Sequence, residues 1–66
     1  MKHKEIIEKW GTPAELSKDL GLGYQQVYGW FRRNSIPTGY WERVVTAATL
    51  RGIDGVDFNA LWSGKK

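Results

Sequence analysis

Sixty-six residues without a cysteine make one small domain, 1–66, that must hold together without disulfides, because so short a chain supports a single core at most. One histidine and no thiol leave a structural zinc site short of ligands, so four Trp, three Tyr and two Phe are the expected staples. Ten Lys and Arg against seven Asp and Glu give a net charge of +3, which favours a polyanionic partner.

In chain order, the first helical segment spans Lys2 to Trp10, where Ile6, Ile7 and Trp10 recur at helical spacing and Gly11 supplies the stop. Thr12-Pro13 followed by Glu15 is a helix start. It combines a hydroxyl able to cap, a proline whose missing N–H does no harm, and an acid in the first turn. This second helix runs to about Leu20 with Leu16, Ser17 and Leu20 inward, and Gly21-Leu22-Gly23 turns the chain. A third helix spans Tyr24 to Asn34. At 100° per residue, Val27, Trp30 and Phe31 share one side, and Gln25, Tyr28, Gly29, Arg32 and Arg33 fall on the other. Ile36 before Pro37 ends it. A fourth helix follows from Tyr40 to Arg51, with Trp41, Val44, Val45 and Ala48 inward, and Asp57 caps a last helical turn carrying Phe58, Leu61 and Trp62. Ser63 to Lys66 read as a frayed or tag-like end. With no sustained strand alternation, the expected fold is all-α, a bundle of about five short helices.

Helix two, the glycine turn and helix three have helix-turn-helix proportions over residues 12–34. Small Ser17 lets the two helices approach, Gly21 permits a positive φ, and β-branched Val27 fills the wedge between them. The string Leu16-Ser17-Lys18-Asp19-Leu20-Gly21-Leu22, with Val27, Trp30, Arg32 and Ile36-Pro37, resembles the lambda-repressor and Cro-like group of DNA-binding proteins across residues 12 to 37. Ser17 stands where alanine is commoner. Gly23 stands where serine or threonine usually caps helix three, at a cost of a few tenths of a kcal/mol.

The resemblance implies a third helix lying in the major groove, often in a dimer on a palindromic operator, and a function in transcriptional repression or autoregulation. On that basis Tyr24, Gln25, Tyr28 and Gly29 are the expected base contacts, with Gln25 able to pair two-pronged with adenine and Arg32 able to read guanine or hold a phosphate. Arg33 is expected on phosphate. Thr12, Lys18, Gln26, Thr38 and Arg43 are further phosphate candidates, although capping accounts equally well for the two threonines and plain solvation for Lys18, Gln26 and Arg43, and solvation is also the rival role of Gln25. Tyr28 has a rival role, with its ring against helix two and only its hydroxyl on a phosphate. Gly29, costing about 1 kcal/mol against alanine in a helix, signals either close approach to DNA or a merely tolerated residue.

A nucleophile beside a base, or paired carboxylates in a cleft, would mark an enzyme. The chain offers only His3, near a start expected to be mobile, so no activity, cofactor or small-molecule ligand is expected. A membrane span and a signal peptide are likewise not expected, which favours the cytoplasm. The rival class is a protein-binding helix-turn-helix module such as an antitoxin or adaptor. It would carry apolar anchors on the outer face of helix three, where Gln25, Arg32 and Arg33 stand instead. Phe58, Leu61 and Trp62 in the C-terminal segment 57–66 exceed what one turn needs. They either close the monomer core or pair two copies, in solution or only on DNA.

Overall fold

Local punctuation in the sequence cuts the chain into short helices, and a computed structural model, which describes residues 1–65, shows five of them and no strand among those residues. They are α1 (His3–Glu8), α2 (Pro13–Leu20), α3 (Tyr24–Arg33), α4 (Trp41–Arg51) and α5 (Phe58–Lys65), with a 3₁₀ turn over Thr38–Tyr40 leading into α4. Lys66, the last residue of the expected frayed end, lies outside the described residues.

The stops and starts are chemical. Thr12 accepts the Glu15 N–H at the head of α2, and α2 closes on Gly21 at φ +69°, where a Cβ would be strained. α3 stops one residue sooner than the periodicity suggests. Asn34 takes the left-handed conformation at φ 54° while its N–H and that of Ser35 satisfy the Phe31 and Trp30 carbonyls. α1 is shorter than expected at both ends, because Lys9 and Trp10 form a closing turn onto Ile6 and Ile7. At the far end Asp57 accepts the Ala60 N–H at 2.8 Å and starts α5.

α5 continues through Ser63 and Gly64 instead of fraying after Trp62. Gly64 lies so close to the chain start that a Cβ there would meet the Met1 carbonyl and come within 2.8 Å of His3 Cδ2. Only glycine lets α5 approach α1 this closely.

Ile6, Ile7, Leu16, Val27, Val44, Ala48 and Leu61 are wholly buried, and Trp10, Trp30, Ile36 and Trp41 nearly so. Every helix thus contributes to one core. Leu61 belongs to that core, which corrects its expected place in a dimer surface. Burial of this kind is worth about 1.5–3 kcal/mol per large apolar side chain, and three of the four tryptophans lie in it.

His3 is buried at the centre of this arrangement, 1% exposed. It was expected on a mobile end, and its partners explain the difference. The Ile36 N–H donates to Nδ1 at 2.7 Å and the Leu61 carbonyl lies 2.7 Å from Nε2. Since Nδ1 accepts, Nε2 carries the proton and donates, which assigns the tautomer from the hydrogen bonds. The ring also meets Trp41 edge-on at 5.9 Å. One imidazole therefore joins the chain start, the α3–α4 connection and α5.

A second tie crosses from α2 to the end of α4. Arg51 grips the Asp19 carboxylate with two hydrogen bonds, 2.8 and 2.9 Å, and reaches Glu15 at 3.5 Å, while the Trp10 indole N–H donates to Asp19 at 2.9 Å. The Arg51 guanidinium, aided by the Trp10 N–H, holds the Asp19 carboxyl below its ordinary value despite partial desolvation. A carboxyl lowered on folding stabilises fully above its unfolded pKa of about 3.9, and that contribution is lost as pH falls through the lower folded value. Denaturant titrations of wild type and Asp19→Asn should therefore differ most above about pH 5 and converge under stronger acid. A gap that stays constant down to pH 2 would rule out this role for Asp19.

Candidate functional site

α2 and α3 meet across the three-residue turn Gly21-Leu22-Gly23. Ser17, 5% exposed, turns its hydroxyl back to the Ala14 carbonyl at 2.7 Å, so the helix crossing has neither bulk nor an unsatisfied polar group. Val27 and Trp30 anchor α3 from beneath, with the Tyr40 ring 4.9 Å from Trp30. The opposite side of α3 is thereby presented to solvent on a fixed base.

Gln25, Tyr28, Arg32 and Arg33 are exposed there with Gly29 half-buried among them, so the structure brings together the residues that the helical stepping grouped, and Tyr24, added by the resemblance, is exposed at their edge. Tyr24 and Tyr28, one turn apart, stack with ring centroids 5.6 Å apart and planes 17° apart. Gly29 lies beside them, with the Arg33 guanidinium folded over it. A Cβ at Gly29 would stand 3.4 Å from Arg33 Nη1, and Gly29, Arg32 and Arg33 line a shallow open groove of about 220 Å³. The glycine leaves room for a side chain that swings easily, and alanine would be tolerated at little cost.

The phosphate candidates separate into two sets. Lys18 is exposed on α2 and Thr38 opens the 3₁₀ turn, whereas Thr12 is a helix cap. Arg43 donates to the Leu20 carbonyl and lies over the Tyr40 ring at 5.7 Å. Its guanidinium thus closes the C-terminus of α2. Gln26 donates to the Tyr40 hydroxyl at 3.1 Å, which draws it to the flank of α3. Lys4 is a cation not anticipated in this region. Its ammonium stands 5.0 Å above the Phe31 ring, and its N–H donates to the Asn34 side chain at 2.8 Å, beside the C-terminal end of α3. No local spacing signals this contact, because its partners lie about thirty residues away in sequence.

Beyond α3, Phe58 and Trp62 occupy successive turns of α5 and are 53% and 54% exposed. No group of three or more His, Cys, Asp or Glu able to hold a metal occurs among the described residues, and no helix there is long and apolar enough to cross a membrane. No protein-family model, no curated protein and no solved structure matches the chain.

Proposed function

We propose that this protein is a sequence-specific double-stranded DNA-binding regulator. On this reading it is a helix-turn-helix protein with a fold like that of the lambda-repressor and Cro-like group, in which α2 crosses the backbone and α3 enters the major groove. The observation that carries the reading is the outer face of α3. Gln25, Tyr28, Gly29 and Arg32 line it without an aliphatic residue, on a helix whose other side is locked by Val27 and Trp30. An exposed row of amide, guanidinium and ring groups suits base edges and phosphates better than it suits an apolar protein partner.

Arg33 and Lys18 are the phosphate contacts, joined by Lys4 through its placement over Phe31. Two copies paired through Phe58 and Trp62 would present two α3 helices to a palindromic operator in the cytoplasm, repressing transcription there.

The test is selection from a randomised duplex pool, followed by titration of the selected site against salt. A palindromic motif with half-sites about one helical turn apart is expected. Arg33→Ala should weaken binding to all sequences alike and flatten the salt slope by about one, and an unchanged slope would take Arg33 off the phosphate. Unselective binding that disappears at physiological salt would overturn the proposal in favour of an adaptor or antitoxin role.

A further inference from the structure

Resting on the DNA reading of α3, we infer that the stacked Tyr24–Tyr28 pair reads the C5-methyl group of a thymine, through the Tyr28 ring, between the positions read by Gln25 and Arg32. The inference matches two surfaces by their chemistry. In the major groove the base edges offer mainly hydrogen-bond donors and acceptors, and the thymine methyl is their most prominent apolar feature. The side chains on the outward side of α3 are amide and guanidinium groups apart from its two tyrosines, and Gly29 adds none.

Register supports the match. At about 1.5 Å per residue, Gln25 and Arg32 are about 10.5 Å apart along the helix axis, close to three base steps of about 3.4 Å each. Tyr28 stands between them, about 4.5 Å beyond Gln25. By angle it lies within about 60° of both, so a base contacted by Tyr28 would neighbour the base contacted by Gln25.

The stack adds preorganisation. Rings 5.6 Å apart with planes 17° apart restrain one another, so Tyr28 loses little rotamer freedom when it meets a base. Tyr24 is 48% and Tyr28 40% exposed, so both rings retain apolar surface that can be covered on binding. Tyr24 acts here as a positioning residue that supports Tyr28 from the preceding turn.

The experiment replaces each thymine of the selected duplex in turn with uracil, which removes only the methyl group, and measures affinity of the full chain. At one thymine in each half-site, wild type should lose about fourfold, the affinity equivalent of uncovering one methyl group. Tyr28→Phe should keep that discrimination, and Tyr28→Ala should bind thymine and uracil duplexes equally. Uracil duplexes bound as tightly as the parent at every position would overturn the inference while leaving the DNA reading intact. So would a Tyr28→Ala that still discriminates, or a Tyr28→Phe that weakens thymine and uracil duplexes alike, which would assign the hydroxyl to a phosphate instead. Failure of wild type to select any sequence would overturn both.

Discussion

Replacing His3 with alanine should remove most of the stability of this domain. The substitution strands the buried Ile36 N–H and removes the bond that the imidazole makes to the Leu61 carbonyl of α5. An unsatisfied group of this kind costs about 1–3 kcal/mol, and the void left by the ring, together with the lost edge contact to Trp41, adds to it. A chain of this length has about 3–10 kcal/mol of stability in all. Thermal and urea unfolding followed by far-ultraviolet circular dichroism would measure the loss. His3→Asn, which retains an acceptor near the Nδ1 position, should be intermediate. If the alanine variant unfolds at the wild-type midpoint, the imidazole is not what joins α1 to α5.

On the proposed DNA-binding function, Gln25→Ala should have the largest effect on recognition while leaving the fold alone. Gln25 is exposed, and alanine is the better helix former, so the unfolding midpoint should hold or rise slightly. Loss of a two-pronged contact to adenine should cost about 1–3 kcal/mol on the selected operator, or roughly 5- to 150-fold in affinity. Binding to random duplex should be unchanged, because that affinity comes from phosphates. Competition assays on both DNAs at one salt concentration separate the two quantities. Equal losses on operator and random DNA would mean that Gln25 does not read a base.

Much of the helical layout is legible because its signals are local. Thr12-Pro13, Gly21 and Asp57 act on residues close by in sequence, and the helices begin or end beside them. The outer face of α3 is legible for the same reason, since a fixed 100° step groups its residues without knowledge of the rest of the chain.

What was missed depends on partners far away in sequence. His3 reads as a surface residue until Ile36 and Leu61, 33 and 58 residues on, are brought to its two nitrogens. Arg43 reads as a free cation until the end of α2 offers it the Leu20 carbonyl. Leu61 and Trp62 are adjacent apolar residues, and only the direction from which α5 meets the core decides that the first is buried and the second half exposed. The Asp19–Arg51 clamp, 32 residues apart, is equally silent in the sequence.

The bond from Gln26 to the Tyr40 hydroxyl has a consequence for how rare an operator can be. On the proposed DNA-binding function, Gln26 marks the edge of the reading face, and the outward side chains of α3 would specify about four base pairs in one copy. A four-base-pair word recurs by chance about every 250 base pairs, so a single copy would be dispersed over thousands of decoys in a bacterial-sized genome. Two copies reading eight base pairs at fixed separation lengthen that interval to about 65,000 base pairs. On this account pairing of the chain sets how much of the genome it can ignore.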